Sequence, residues 1–385
     1  MVIFLKGKTM TKTAGFSAAV SFTAATTIAL SCLLAAHDAK AQARIVNVVQ
    51  IVPQSGPLAN VGKEIYAISK ATLDDFNNEQ PKLKVVLNAF DDGNVADTST
   101  AMAQAAPLGT SAYLSCFGTV GCLAQQKVAN EKHIPLIGAI AGAAPLRGKA
   151  SGFSFVARAS ALDEVRTLLK FCEASQMLQI SVLIQDDGFG RGYAAELEKL
   201  EAQYPSIKMT RVLFRPQAPD YKALSTNLHT TKPQALILLA NAMHSTNLLA
   251  AWKEQSALPF VLNLAGQANA LFSSKLKGYV GAAAFVTVAP SPWEAKSAAQ
   301  RDYQRISKAA SLPLSYIGFE AYLNARLLTK SLQTSNAKNA MDLFNFLEST
   351  GKQDLGGYVV TYGDSRAGSS FTDLALLRSD GSYMH

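Results

Sequence analysis

Histidine, cysteine and tryptophan are scarce in this 385-residue chain, which holds five His, four Cys and two Trp. There is no G-x-S-x-G elbow, no H-E-x-x-H pair, no Walker loop and no Cys/His spacing of a zinc site. Charge is also thin, at 17% of residues, and no block of Lys or Arg marks a nucleic-acid footprint. Beyond the N-terminus no apolar run reaches membrane-spanning length. Hydrophobic residues make up 49%, which excludes a disordered chain, and the length suffices for two domains with a core each.

Residues 1–41 read as a signal peptide. Lys6, Lys8 and Lys12 form a basic start, residues 16–36 an apolar segment, and Ala39-Lys40-Ala41 a small-x-small cleavage site. Met10 is an alternative start, an uncleaved anchor an alternative fate, and residues 29–31 are a poor lipobox before Cys32. The segment carries four Lys and one Asp, so +3 of the formal +8 leaves with it and +5 remains on 344 residues. A soluble, exported protein in the periplasm is expected.

The chain after it alternates. Residues 45–62 (IVNVVQIVPQSGPLANVG) give a buried strand, a small-residue turn and an amphipathic helix with Val61, Ile65, Ile68 and Phe76 on one face. Strands follow at 84–90, 112–117, 136–140 and 153–157, with helices expected from about Asp97 and over 122–131. The pattern then restarts, with strands at 180–185, 209–214, 235–239, 260–264 and 281–287 and helices at 162–172, 192–200, 220–228 and 245–255. From Trp293 helices dominate (294–310, 316–332, 337–349), before strand-like runs at 357–362 and 371–377. Two βα-rich halves predict an α/β protein with parallel-type sheets and ligand-binding turns at the carboxyl ends of strands.

The residues that could carry chemistry are few. The mature chain keeps His133, His229, His244 and His385, none placed as a base for a nucleophile such as Cys122. Residues 188–192 (GFGRG) sit where a dinucleotide fingerprint would. However, Tyr193 stands at the third-glycine position and Asp186-Asp187 would repel a pyrophosphate. Asp91-Asp92 and Asp186-Asp187 follow strands at equivalent points; strand-end or N-cap roles are the expected reading, and a paired-carboxylate mechanism or a calcium site is the alternative. Cys116 and Cys122 flank FGTVG as a disulfide across the turn or as two buried thiols. No catalytic residue, metal ligand or cofactor is assigned.

In order and spacing, several segments resemble the leucine/isoleucine/valine-binding-protein-like family, the type I periplasmic solute-binding proteins of ABC transporters. They are IVNVVQIVPQSGPLANVGKEI, LNAFDDGNVADTSTAMAQ, SCFGTVGCLAQQKVANEKHIPLIGAIAGAAPLR, ISVLIQDDGFGRGYAAELEKL and SYIGFEAYLNARLL. The resemblance covers nearly all of residues 44–385 and implies two Rossmann-like lobes joined by a three-strand hinge. It divides the chain into lobe one (42–157), lobe two (158–287), lobe one again (288–355) and lobe two again (356–385). The implied crossovers lie near 156–158, 287–290 and 355–357. Ligand contacts are implied at Gly118, Thr119 and Val120, at Ala141 and Gly142, at Phe189 as a packing aromatic, and at Asn241, Ala265 and Gln267. The turn ending at Asn60 is expected to line the cleft as well. Gly142 stands where a Thr or Ser is usual, Val61 where a Tyr is usual, and Ala265 where amino-acid binders place a carboxylate for the ammonium. An unpaired buried ammonium would cost several kcal/mol. The expected ligand is therefore an organic or aromatic acid, an amide or another neutral solute. The resemblance implies a non-enzymatic monomer that hands its ligand to an ABC permease. Feeding a membrane sensor kinase is the alternative, and a periplasmic hydrolase a more distant one.

Overall fold

The computed structural model describes residues 43–93, 99–105, 109–254, 257–268, 272, 283–378 and 382–384. The expected signal segment and the helix start at Asp97 lie outside these. Among the described residues no helix is long and apolar enough to cross a membrane.

The first unit forms β1 (Arg44–Val52) and α1 (Ala59–Glu79). Val48 and Val52 face one core and Val49 and Ile51 another, so β1 is buried on both faces and its apolar run is explained. Each such side chain contributes about 1.5–3 kcal/mol. At Gly62 a Cβ would lie 1.6 Å from Pro53 O, so only glycine lets α1 turn back this tightly over the strand end. There follow β2 (Leu83–Asp91), α2 (Ser99–Ala105), β3 (Thr110–Leu114), α3 (Thr119–Lys132), β4 (Leu136–Ile137) and β5 (Ser154–Phe155). These five strands make one parallel sheet in the order β2-β1-β3-β4-β5.

The second half repeats this plan. It comprises α4 (Ala161–Ala174), β6 (Gln179–Gln185), α5 (Gly188–Glu201), β7 (Lys208–Phe214), α6 (Tyr221–His229), β8 (Ala235–Leu239), α7 (Ala242–Lys253), β9 (Phe260–Asn263) and β10 (Ala283–Thr287). Its sheet runs β14-β13-β10-β9-β8-β6-β7. The run β7-β6-β8-β9-β10 has the same order as β2-β1-β3-β4-β5, so each lobe has a switch point beside its first strand, at β1/β3 and at β6/β8. The added edge is antiparallel, from β13 (Asp373–Leu377) and β14 (Tyr383–Met384).

Between these parts α8 (Ala298–Ala309), α9 (Tyr316–Ser335) and α10 (Ala340–Ser349) return to lobe one, where Tyr303, Phe319, Leu327 and Leu343 join the core around β1. Both α8 and α10 start later than the apolar pattern suggested, because Ser297 and Asn339 cap them. The third passage between lobes also comes later than 355–357. β11 (Lys352–Asp354) and β12 (Val359–Thr361) pair with each other, and Leu355, Tyr358, Val360 and Tyr362 pack into lobe one. The chain reaches the second sheet only with β13, whose Leu374 and Leu376 pack on the lobe-two core. The apolar face of β12 therefore belongs to lobe one, not to the second lobe that the resemblance implies from residue 356.

The three passages are stapled together by side chains. The Tyr358 hydroxyl donates to Ala157 O (3.1 Å) and Val288 O (2.9 Å), one on each of the first two passages. Tyr362 Oη donates to Val156 O at 2.9 Å, and Ser369 N–H on the third passage donates to Ala157 O at 3.1 Å. Tyr358→Phe removes the one hydroxyl proton that the two carbonyls share, leaving Val288 O short of a donor while Ala157 O keeps Ser369 N–H. A loss of about 1–3 kcal/mol is expected in urea denaturation. An unchanged midpoint would show that the staple carries no load.

Candidate ligand-binding cleft

A cleft of about 330 Å³ opens where the carboxyl ends of the two sheets meet. It is lined from lobe one by Pro53, Pro57, Leu58, Asp92, residues 117–121 and residues 140–142. Lobe two contributes Gln185, Asp187, Phe189, Tyr193, residues 241–243, Leu264, Gly266 and Gln267, and Arg158 stands on the first passage between them. These segments follow β1 to β4 of lobe one and β6, β8 and β9 of lobe two, so the cleft takes in both switch points. Its volume is at the small end for ligand pockets, and most of its lining is apolar.

Three segments read as turns are in fact first turns of helices. α3 starts at Thr119, α5 at Gly188 and α7 at Ala242, each three or four residues before the apolar pattern placed it. Their N-termini differ. Asp187 caps α5 by accepting from Phe189 N–H (2.9 Å) and Gly190 N–H (3.0 Å), and Asn241 caps α7 by accepting from His244 N–H at 3.0 Å. The N-cap of α3 is Gly118, at φ 73°, which has no side chain to offer. The first bond within that helix is Cys122 N–H to Gly118 O at 3.0 Å. The N–H groups of Thr119, Val120 and Gly121 therefore point ahead of the helix uncapped, and Thr119 lines the cleft beside them. An uncapped helix N-terminus of this kind favours an anion or a carbonyl oxygen.

Two covalent and ionic devices surround this turn. Cys116 and Cys122 form a disulfide, with Cα atoms 5.3 Å apart, that rings residues 117–121; Cys172 is free and buried. Behind the cleft wall Arg158 Nη2 meets Glu164 Oε1 of α4 at 2.5 Å, and Nη1 meets Glu320 Oε2 of α9 at 3.3 Å. All three side chains are at most 5% exposed, and the pairs join lobe two to lobe one through the hinge. Burial would lower the Arg158 pKa, but Glu320 and Glu164 outweigh it and hold the guanidinium charged. Burial raises the Glu320 pKa to about 7, Arg158 opposing and Glu164 adding to the shift.

Of the expected contacts, Gly118, Thr119, Val120, Ala141, Gly142, Phe189, Asn241 and Gln267 line the cleft. Asn60 does not: it is exposed on α1, and Pro57 and Leu58 form that wall instead. Ala265 does not either. It is buried and donates its N–H to Glu164 Oε2 at 2.9 Å, leaving Leu264 and Gly266 to face the cavity. Sequence reasoning missed Arg158, Gln185, Tyr193 and Asp92. Tyr193 follows Phe189 by four residues, on the same helical face, and that spacing was a usable signal. Asp92 and Asp187 bring carboxylates to the cleft, contrary to the simple expectation from Ala265. Asp187, however, already accepts from Phe189 N–H, Gly190 N–H and Gln185 Nε2.

Two doubly wound lobes around a cleft at both switch points define a two-lobe ligand-capture protein. The sequence profile of the family described as periplasmic binding protein matches residues 45–381, and the chain belongs to that family. The fold is that of a possible leucine/isoleucine/valine-binding protein from Rhodopirellula baltica SH 1, at TM-score 0.81 and 19% identity over 90% of this chain and 98% of that one. A branched chain amino acid ABC transporter from Thermus thermophilus with bound valine is similar at TM-score 0.76 and 12% identity, over 89% and 95%. A fatty acid ABC transporter substrate-binding protein from Thermomonospora curvata is similar at TM-score 0.74 and 15% identity, over 89% and 91%. No curated protein matches the chain in sequence.

The raised Glu320 carboxyl makes stability depend on pH. Its folded pKa of about 7 exceeds the ordinary 4.5 of a glutamate, so the folded state holds this proton more tightly. This carboxyl therefore supports folding fully below pH 4.5 and loses that support as pH rises through 7. Glu320→Gln should gain stability relative to the natural protein across that window in thermal melts, and a constant gap would remove Glu320 from the account. Separately, Cys116→Ser with Cys122→Ser should speed amide exchange of the first hydrogen-bonded N–H groups of α3, from residue 122 onward, while leaving α9 protected; uniform acceleration would assign the disulfide to global stability instead.

Proposed function

We propose that this protein captures a small organic acid with an apolar body by closing its lobes, and passes it to an ABC permease. The observation that carries the reading is the contrast between the three helix ends at the cleft. Of the three, α3 alone starts without a side-chain cap, beside the Thr119 hydroxyl, while Asp187 caps α5 and Asn241 caps α7. The acid group belongs on α3. Arg158 is not its counter-ion, because Glu164 and Glu320 already take up that charge. Phe189, Met243 and Leu264 from lobe two then cover the apolar part. The cleft's polar side chains serve as donors, acceptors and caps to one another, which supports binding rather than turnover. Delivery to a permease is supported by the ABC transporter proteins among the structural relatives.

A second reading, an amino acid, is favoured by the Asp92 and Asp187 carboxylates on the same wall. Thermal-shift measurements with benzoate, 4-methylpentanoate, leucine, valine and glutamate separate the two. Stabilisation by the acids without the amino group is expected, and a micromolar response to leucine or glutamate alone would sink the first reading.

A further inference from the structure

Tyr193 lies one helical turn beyond Phe189 on α5 and lines the cleft with it. Its hydroxyl donates to Glu164 Oε1 at 2.7 Å. Glu164 is fully buried and accepts from two further donors, Arg158 Nη2 at 2.5 Å and Ala265 N–H at 2.9 Å. A carboxylate serving these donors is an acceptor only and has no proton to return. The single phenolic hydrogen is thus committed, and the oxygen can offer any other neighbour only a lone pair. Burial first, and the Glu164 charge second, also raise the Tyr193 pKa well above its ordinary value, so the proton stays in place.

The oxygen is held at a particular spot on lobe one. A Cβ added to Gly142 would stand 2.6 Å from Tyr193 Oη, 2.9 Å from Ala161 N and 3.0 Å from Glu164 Oε1. The second lobe-one turn therefore has to be glycine, because a phenol from lobe two fills the place of a side chain there. That turn adjoins the first: Phe117 and Ile140 pair across it, and Gly118 N–H donates to Ile140 O at 3.2 Å. The open N–H groups of α3 and the acceptor-only oxygen of Tyr193 thus lie on neighbouring turns of one cleft.

We propose that Tyr193 is a specificity-determining residue that selects acids carrying a hydroxyl next to the carboxylate. The proposal rests on the acid-binding reading above: the carboxylate takes the donors of α3, and the adjacent hydroxyl gives its proton to Tyr193 Oη. An ammonium in that place would bring a charge and three protons to a neutral oxygen that offers a lone pair. Glu164 and Asp187 already serve three donors each, and Asp92 has a partner of its own. A hydroxyl brings one proton to one lone pair.

Calorimetric titration with 4-methylpentanoate, 2-hydroxy-4-methylpentanoate and leucine, on the natural protein and on Tyr193→Phe, tests this. The hydroxy acid is expected to bind about tenfold more tightly than either of the others, the worth of one hydrogen bond. In Tyr193→Phe the ratio between the affinities for the hydroxy acid and for 4-methylpentanoate should fall to about one, whatever change the two share. Equal affinities in the natural protein, tighter binding of leucine, or discrimination that survives in the variant would each overturn the role of Tyr193. The first of these leaves the acid-binding reading standing, whereas silence towards all three ligands sinks both. A co-crystal with the hydroxy acid provides a measurement that needs no variant: its hydroxyl should lie within about 3.2 Å of Tyr193 Oη, and a hydroxyl turned elsewhere overturns the proposal.

Discussion

One buried guanidinium holds the two lobes and the cleft wall in a common register. Arg158 sits on the first passage between lobes, with Glu164 of lobe two on one side and Glu320 of lobe one on the other. Burying these charges costs several kcal/mol per ion, so the cluster adds little net stability. Its effect is geometric. Without Arg158, two buried carboxylates would face each other uncompensated, a state that costs about 3–5 kcal/mol in comparable pairs. Arg147 extends the arrangement, its guanidinium donating to Arg158 O at 2.8 Å, Ala159 O at 2.6 Å and Ala367 O at 2.7 Å. The first and third passages are thereby tied through one guanidinium that donates to backbone carbonyls on both.

From this cluster the polarity of the cleft follows. Arg158 has its charge taken up by the two glutamates, and Asp187 and Gln185 are engaged with each other at 2.5 Å. Gln185 Oε1 also accepts from Asn241 N–H at 3.0 Å. Lobe two therefore presents a wall whose hydrogen bonds are largely made, with apolar groups between them. Lobe one presents a helix start without a cap, inside a disulfide-bounded ring. The dipole and uncapped donors of α3 form the positive pole of the site, with the Asp92 carboxylate nearby: a Cβ on Gly121 would stand 3.6 Å from Asp92 Oδ2. The lobes come close at its rim, where a Cβ added to Gly188 would stand 3.9 Å from Val120 Cγ2.

Much of the fold was legible because apolar runs and turn residues alternate strictly. Strand β1 and the repeat of its unit at β6 can be read from ILE/VAL-rich segments that end in Pro, Gly or Asp. Helix starts were harder to place. Asp187 and Asn241 were visible as residues, but their capping role depends on backbone geometry that apolar periodicity does not report. The late hairpin was misplaced for a related reason: Val360 and Tyr362 look like strand residues in either lobe, and only the tertiary packing assigns them. In the site, the positions on lobe-one turns could be carried over by resemblance. Arg158 and Tyr193 could not, because their importance comes from partners 6 and 29 residues away in sequence.

The two departures that looked like losses, Gly142 and Ala265, are linked through one group. Glu164 Oε1 would stand 3.0 Å from a Cβ at 142, and Glu164 Oε2 accepts the backbone N–H of 265. A single buried carboxylate from α4 thus occupies the space beside both turns, where side chains of their own would otherwise reach. Replacing two side chains at the cleft surface by one carboxylate behind it changes what a ligand meets. The charge is neutralised by Arg158 before it reaches the cavity, and what is relayed forward is a hydroxyl oxygen with its proton turned away. A site organised in this way keeps its charged groups fixed to one another. It meets its ligand with backbone donors on one lobe and a neutral acceptor on the other, so its selectivity depends on hydrogen-bond direction more than on charge.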